Sequence, residues 1–214
     1  MKKILLTIIF IMAMFQMIGM ALTYTSQYPP EQSATYVKAT TEYAGDVRKP
    51  YFATDPALSV TGDWTYNSWC SVFGKTTNQR FHIDLGSAKI IRRIYYVNLH
   101  SSGSYVQSGV QNFTFWGSNT GAGTFDDLVY ANDEGWTELT CSQNTLDMHS
   151  AVDEEDPGYI TVTNTTAYRY YAFKCADRWN TFYSYLGFRR VELQTEDGYG
   201  EEEEGNAIFF GINF

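Results

Sequence analysis

Apolar and polar residues alternate over short stretches along most of this chain. Within Gln79–Leu85, for example, Phe81, Ile83 and Leu85 fall on one side of an extended strand and polar residues fall on the other. The stretches are rich in Val, Ile, Thr, Tyr and Phe, and clusters of Gly, Ser, Asn and Asp separate them. A period of two predicts strands with one buried face, and no long helical periodicity accompanies it. The pattern therefore predicts an all-β sandwich or barrel.

The predicted strands are separated by loops of unequal length. The same criteria predict seven further strands, at Tyr36–Tyr43, Lys89–Leu99, Val110–Trp116, Trp136–Leu139, Tyr159–Thr163, Tyr168–Ala176 and Phe188–Leu193. The loop over residues 45–69 is long and contains the turn signals Pro50 and Gly62. Because long structured loops in compact β domains are often functional, this loop is a candidate binding element.

The first 21 residues have the features of a secretory signal. Lys2 and Lys3 form a basic start, Ile4–Phe15 is apolar apart from one threonine, and Gly19-Met20-Ala21 is a small-residue cleavage site. This pattern predicts a signal peptide over residues 1–21 and a secreted or cell-surface protein. A retained membrane anchor is the alternative, because the apolar stretch approaches the length of a membrane span.

The charge balance argues against two classes of partner. The chain has 24 acidic and 15 basic residues, a formal net charge of −9. Nucleic acids and anionic membranes both require a basic surface, so neither is expected as a ligand.

Three cysteines, Cys70, Cys141 and Cys175, leave the redox state open. Secretion permits disulfides, and an odd number leaves at least one thiol without an intramolecular partner. One bridge and three small buried thiols both fit the sequence. The spacing is not that of a zinc site.

The domain organisation follows from composition. Residues 22–32, with Pro29-Pro30, predict a linker, residues 33–195 a single β domain, and residues 196–214 a tail. In the tail, the acidic run Glu201–Glu204 precedes the apolar peptide Ala207–Phe214. That peptide is open to three interpretations: a disordered end, docking on the domain, or pairing with an edge strand of another subunit.

A series of short motifs spans the predicted domain. They are Ala39-Thr40-Thr41-Glu42-Tyr43, Ala53-Thr54-Asp55, Trp69-Cys70-Ser71, Ile83-Asp84-Leu85-Gly86, Phe113–Asn119, Trp136-Thr137-Glu138-Leu139, Thr166–Tyr171 and Leu186–Leu193. In order and spacing they resemble the discoidin family, also called the coagulation factor V/VIII type C domain, which includes many galactose-binding modules. The resemblance implies a jelly-roll β-sandwich of about eight antiparallel strands with ligand loops at one end. It also implies binding without catalysis.

The late loop Asp177–Tyr185 is the first candidate for ligand binding. Sugar recognition uses aromatic faces for stacking and polar side chains for hydroxyl groups. The candidate ligand-binding residues are Arg178, Trp179, Asn180, Phe182 and Tyr183 from this loop, with His100, Tyr105, Arg48 and Tyr51 from two others. The alternative is that Trp179, Phe182 and Tyr185 pack the late loop onto the core.

The resemblance also raises the question of calcium. Many family members hold a structural Ca²⁺ near the aspartate loop, for which Asp55 and Asp63 are the candidate ligands here. A carboxylate of the family's closing strand is replaced by Arg190, and a guanidinium cannot ligate Ca²⁺. Calcium therefore remains possible but is not required, and Arg190 is expected to pair with Asp55 or Asp84.

No arrangement of residues indicates catalysis. His82, His100 and His149 are far apart and lack metal-ligand spacing, and no hydrolase or P-loop motif occurs. We therefore expect a secreted, non-catalytic module that binds a galactose-type glycan in cell-surface or matrix adhesion. The alternatives are an adhesion subunit that binds protein and self-assembles through Ala207–Phe214, and a module that binds phospholipid surfaces.

Overall fold

A computed structural model describes residues 22–180 and 184–199. Its strands are β1 Tyr24–Gln27, β2 Val37–Ala39, β3 Trp69–Cys70, β4 Gln79–Lys89, β5 Arg93–Asn98, β6 Phe113–Ser118, β7 Thr137–Cys141, β8 Pro157–Thr163, β9 Tyr168–Cys175 and β10 Gly187–Glu196. The helices are α1, Ala122–Asp126, and two 3-10 turns, Pro50–Thr54 and Val106–Ser108. In this part of the chain, no helix has the length and apolarity needed to span a bilayer.

The strands form two antiparallel layers. One layer has the order β1-β10-β5-β8, with β3 also paired to β10, and the other has the order β2-β4-β9-β6-β7. A short pairing of β7 with β8, through Thr140 and Thr163, joins the layers along one side. This arrangement is the β-sandwich jelly roll predicted from the sequence, with ten strands among the described residues.

Aromatic side chains fill the space between the layers. Phe81 and Phe173 come from one layer and Phe188 from the other, and all three are fully buried. The Phe188 ring lies 5.4 Å from Phe81 and 5.5 Å from Phe173, and Trp69 lies 5.0 Å from Phe81. Each such ring pair contributes about 0.5–1.5 kcal/mol beyond the burial of its apolar area. The aromatic alternation of β4, β9 and β10 is therefore what joins the two sheets.

The polar side of β4 is also buried, although its alternation alone predicts an outward face. The segment between β6 and β7, which contains α1, folds over this side of the sheet. Arg80 is fully buried, donates to the carbonyl of Val129 (3.0 Å) and pairs with Asp133. His82 bonds through Nδ1 to the carbonyl of Phe125 (2.8 Å), and burial lowers its pKa to about 4. The covering segment thus supplies partners that the sheet cannot, although Arg80 Nη1 and His82 Nε2 have none among the described residues.

The first and last strands of the domain extend beyond its predicted boundaries at residues 33 and 195. Residues 24–27 lie within the predicted linker but form β1, which pairs with β10 from Tyr24–Glu196 to Gln27–Leu193. The last strand extends to Glu196, one residue into the predicted tail. The predicted signal over residues 1–21 and the tail peptide Ala207–Phe214 lie outside the described residues.

The three cysteines are separate thiols in the structure. Cys70 and Cys175 are buried and Cys141 is partly buried, and none is paired with another. Burial raises the pKa of Cys70 and of Cys141 to about 12, so both remain protonated thiols near neutral pH. Of the two interpretations left open by the sequence, the structure has the unbridged one.

Gly187 marks the closest approach between β10 and β3, and it provides a test of the packing. A Cβ at this position would lie 1.9 Å from the carbonyl oxygen of Trp69, whereas a Cβ at Gly123 in α1 meets nothing within 4 Å. We expect Gly187→Ala to lower the free energy of unfolding by about 2–3 kcal/mol. Gly123→Ala, the matched control, should leave it unchanged or raise it by up to about 1 kcal/mol. Urea unfolding measures both, and equal midpoints for the two variants would contradict the strand pairing.

Candidate functional site

Five loops meet at one end of the sandwich. Strands β2, β5, β7 and β9 end there, and β4, β6, β8 and β10 begin there. The loops comprise residues 40–68, 71–78, 99–112, 142–156 and 176–186. All four non-glycine residues with a positive φ in the described chain lie in these loops: Tyr66, Asn78, Ser102 and Tyr105. Backbone strain of this kind costs about 1–3 kcal/mol per residue and concentrates at functional sites.

An aromatic cluster occupies the centre of this loop end. It comprises Tyr43, Arg48, Trp64, Phe73, Tyr105 and Tyr185. Tyr105 stacks on Trp64 with 4.7 Å between ring centroids, and Tyr185 meets the same indole edge-on at 5.8 Å. Tyr185 also contacts Tyr43 at 5.6 Å and Phe73 at 5.7 Å. Residues from four separate loops therefore form one continuous surface.

The cluster combines a buried base with exposed rings. Trp64 is 7% exposed, whereas Phe73 is 69% and Tyr105 is 39% exposed. Tyr105 has the left-handed backbone angles φ 61° and ψ 17°, which a tyrosine rarely adopts. The stacking on Trp64 holds its ring in place at the surface. Exposed aromatic faces fixed by a buried layer are suited to contact with a flat apolar ligand face.

Arg48 provides the hydrogen-bonding component of the cluster. Its guanidinium lies 4.2 Å from the Tyr43 ring centroid and 4.3 Å from that of Trp64. Its Nε is buried and has no hydrogen-bond partner among the described residues, so only the Nη groups are candidates for contact with a ligand. Cation–π contacts on two sides orient the guanidinium. The arrangement therefore places fixed N–H donors beside the aromatic surface.

His100, a predicted ligand-binding residue, is fully buried beneath this surface. The backbone N–H of Gly103 donates to its Nδ1 (3.2 Å), so Nε2 carries the proton and donates to the carbonyl of Val60 (2.8 Å). Its ring stacks on His149 at 3.8 Å and 12°. Burial lowers the pKa of His100 to about 4. His100 thus holds the 99–112 loop in place, and direct ligand contact would require this loop to open.

Residues 181–183 of the late loop, which include the candidates Phe182 and Tyr183, lie outside the described residues. On one side, Trp179 is half-buried and donates from Nε1 to the carbonyl of Leu146 (3.1 Å). Arg178 is half-buried and donates to the carbonyl of Asn180, which is exposed. Trp179 is therefore fixed on the 142–156 loop, and Tyr185 joins the aromatic cluster from the described part of the late loop.

The other predicted residues take two roles. Arg48 and Tyr105 are members of the aromatic cluster. Tyr51 lies in the first 3-10 turn, half-buried against the main core, with its ring 4.8 Å from Phe52. Tyr51 therefore packs this part of the 40–68 loop against the main core.

Four cluster residues were not among the predicted ligand-binding residues: Tyr43, Trp64, Phe73 and Tyr185. The sequence pattern places Tyr43 in a strand, and it places Tyr185 in the candidate late loop with core packing as the alternative. The sequence feature that could have identified such residues is their position beside turn residues. Gly62-Asp63 precedes Trp64, and Gly74 follows Phe73.

The place expected for calcium is occupied by arginines. Arg190 donates to the carbonyl of Leu58 (2.7 Å), and Arg189 donates to the carbonyls of Thr61 and His100. The carbonyls of Leu58 and Thr61 belong to the loop that carries Asp55 and Asp63, so guanidinium groups take oxygens that a cation would need. No group of three or more potential metal-ligating side chains occurs in residues 22–180 and 184–199. The residues present do not fit a calcium site.

The candidate calcium ligands and Arg190 have other partners. Asp55 accepts from the N–H of Ala57 (2.9 Å), and Asp63 accepts from the N–H of Thr65 (2.8 Å). Hydrogen bonding from Thr65 lowers the pKa of Asp63. Arg190 pairs with Glu192 at 3.5 Å, whereas Asp84 pairs with Arg169 at 2.8 Å. The pairing predicted for Arg190 is therefore wrong, because β10 supplies its own carboxylate.

The histidine geometry predicts a dependence of stability on pH. An unfolded histidine has a pKa near 6.5, whereas the buried His100 and His82 have values of about 4. As the pH falls from 6.5 to 4 the unfolded chain binds protons first, so the free energy of unfolding should fall throughout this window. NMR titration of the native protein should give a His100 midpoint near 4, and the same residue in urea a midpoint near 6.5. A native midpoint between 6 and 7 would contradict the buried stack.

The arginine contacts predict that stability is independent of calcium. We expect EDTA to leave the thermal midpoint unchanged. Arg190→Met should lower the free energy of unfolding by about 3 kcal/mol, because Glu192 and the Leu58 carbonyl lose their buried partner. The control Lys38→Met removes the exposed pair with Asp126 and should cost under about 1 kcal/mol. A thermal midpoint that drops in EDTA and recovers with Ca²⁺ would overturn this assignment.

Comparison with known proteins identifies the fold. The chain is similar in structure to the family 32 carbohydrate-binding module of C. perfringens NanJ in complex with galactose, at 12% identity and TM-score 0.53, over 81% of this chain and 100% of that one. It is also similar to the family 32 module of Streptococcus pneumoniae EndoD, at 8% identity and TM-score 0.52, over 79% and 98% of the chains. These likenesses confirm a β-sandwich jelly roll of the galactose-binding type.

A third similar structure is CpGH89CBM32-5 of Clostridium perfringens in complex with GalNAc-β-1,3-galactose, at 15% identity and TM-score 0.51, over 73% of this chain and 92% of that one. No curated protein matches the sequence. A family model, DUF5000, described as a domain of unknown function, matches residues 59–189. Because this match covers more than half of the sequence, the chain belongs to the DUF5000 family.

Proposed function

We propose that this protein is a secreted, non-catalytic carbohydrate-binding module of the discoidin type, which binds galactose-type glycans at the aromatic cluster and acts in cell-surface or matrix adhesion. The observation that carries the proposal is the exposure of Phe73 and Tyr105 beside the ring-stacked Arg48 at the loop end. The family 32 modules of NanJ and CpGH89CBM32-5, which share the fold, were solved with galactose and with GalNAc-β-1,3-galactose.

The chemistry of the cluster suits a sugar. One face of a galactose-type ring presents C–H groups, which pack on an aromatic face, and its edge presents hydroxyl groups, which need fixed donors and acceptors. Tyr105 and Phe73 offer the faces, and Arg48 offers donors. Because Trp64 and Tyr185 already order these side chains, little conformational entropy is lost on binding.

The same chemistry favours binding over catalysis. Glycoside hydrolysis uses two carboxyl groups on either side of the scissile bond. The aromatic cluster consists of five aromatic rings and one guanidinium, which stack and donate but do not supply such a pair. His100 and His149 lie buried beneath it and His82 lies under α1. The proposal therefore assigns recognition, not turnover, to this end of the molecule.

A glycan array followed by titration calorimetry tests the proposal. We expect the purified protein to bind galactose-type glycans, and Tyr105→Ala or Phe73→Ala to weaken binding by about tenfold, since the loss of one stacking face removes roughly 1–1.5 kcal/mol.

The matched control is Tyr199→Ala, because Tyr199 is comparably exposed and lies at the opposite end, against Arg92. It should bind like the unchanged protein. If the array stays blank with folded protein, or if Tyr199→Ala weakens binding as much as Tyr105→Ala, the assignment to the aromatic cluster is wrong.

A further inference from the structure

A groove of about 420 Å³ lies beside the aromatic cluster. Its walls are the end of β2, at Thr40 and Thr41, and the 71–78 loop, which contributes Lys75, Thr77 and Asn78. We call it the threonine groove. We propose that it is a second sugar subsite, so that the ligand is a linear oligosaccharide that extends from the aromatic cluster. The inference rests on the proposed function and adds the length and path of the ligand.

The groove and the aromatic cluster are formed by neighbouring residues of the same two loops. Gly74 lines it, and the preceding residue, Phe73, has the most exposed ring of the cluster. The N–H of Gly74 donates to the carbonyl of Ser184 (2.8 Å), which fixes the 71–78 loop against the late loop next to Tyr185. On the other wall, Thr41 is two residues from Tyr43. The inference therefore places the second sugar on the residues that follow Phe73 in the 71–78 loop.

Hydrogen bonds within the protein fix the residues at the base of the groove. Thr41 donates from Oγ1 to the side chain of the buried Gln79 (2.6 Å) and accepts from the N–H of Val72 (3.3 Å). The N–H of Asn78 donates to the carbonyl of Ala176 (3.0 Å). These bonds tie β2, β4 and β9 together below the groove. A fixed floor means that ligand binding need not order the protein.

The walls, in contrast, present polar groups that the protein does not use. The side chains of Lys75, Thr76, Thr77 and Asn78 make no hydrogen bond or ion pair with the rest of the described chain. Hydroxyl and amide groups both donate and accept, as sugar hydroxyls require, and the lysine ammonium adds donors. A groove without a large ring suits a sugar held by its hydroxyl groups, next to one held by stacking.

Two other cavities among the described residues lie away from the cluster. A groove of about 460 Å³, lined by Thr25, Lys89 and Tyr199, lies at the opposite end of the sandwich. A polar depression of about 210 Å³ lies beside α1, between Thr120 and Trp136 on the covered face of β4. Only a groove at the loop end can share one ligand with the aromatic cluster, so the opposite groove supplies matched controls.

Calorimetry with galactose, β-1,4-galactobiose and β-1,4-galactotetraose tests the inference. We expect the full chain to bind galactotetraose about tenfold more tightly than galactose. The double variant Lys75→Met with Thr77→Val should lose this gain and bind galactose as before. The control double variant Lys89→Met with Thr25→Val makes the same chemical changes in the opposite groove and should keep the gain.

The outcomes separate the two proposals. Equal affinity for galactose and galactotetraose, or a gain that survives Lys75→Met with Thr77→Val, overturns the threonine groove while galactose binding still supports the aromatic cluster. The absence of binding to all three sugars, with folded protein, overturns galactose recognition and the groove together. Loss of galactose affinity in the groove variant, with circular dichroism unchanged, also contradicts a separate second subsite.

Discussion

The loop end depends on two consecutive buried arginines. A β-bulge between Phe188 and Arg190 allows both Arg189 and Arg190 to reach the loops, where they donate to carbonyls of Leu58, Thr61 and His100. Burying a guanidinium is unfavourable unless its donors find acceptors, and here backbone oxygens from two loops accept from the Nη groups, while the Nε of each arginine has no partner among the described residues. Burial lowers the pKa of Arg189 to about 10, which still leaves it charged at neutral pH. The arginines thus replace a bound cation as the centre that organises these loops.

Arg189 also helps to fix the loop that carries Tyr105 of the aromatic cluster. Arg189 holds the carbonyl of His100, whose ring holds the 99–112 loop against Val60 and His149, and that loop carries Tyr105. Each of these contacts joins the 99–112 loop to another part of the chain, namely β10, the 40–68 loop or the 142–156 loop. Two of the four non-glycine residues with a positive φ in the described chain, Ser102 and Tyr105, lie in this loop, as expected where a scaffold fixes side chains for recognition. Preorganisation of this kind explains how loops can present exposed rings without collapsing onto the core.

The sequence predicted the sheets better than the site, and the reason is physical. Alternation at Phe81, Ile83 and Leu85 depends only on neighbouring residues, so the fold class and the buried side of β4 followed from it. The covering of Arg80 and His82 depends on a segment with no periodicity, which the pattern could not place. The same limit applies to the aromatic cluster. The sequence predicts Arg48 and Tyr105 because they lie in candidate binding loops. It does not predict the contacts of Trp64 with Tyr105 and Tyr185, because these residues are far apart in sequence. The burial of His100 likewise depends on His149, 49 positions away in the chain.

The position of the chain ends agrees with an end-on binding site. The strand β1 begins at Tyr24 opposite Glu196, and the N–H of Asp197 donates to the carbonyl of Thr23 (3.0 Å). The described chain therefore enters and leaves the sandwich side by side, at the end opposite the aromatic cluster and the threonine groove. Any segment attached before residue 22 or after residue 199 starts at the far end of both sheets. Since the loop end carries neither end of the described chain, the exposed rings of Phe73 and Tyr105 lie at the opposite end of the sandwich from residues 22 and 199.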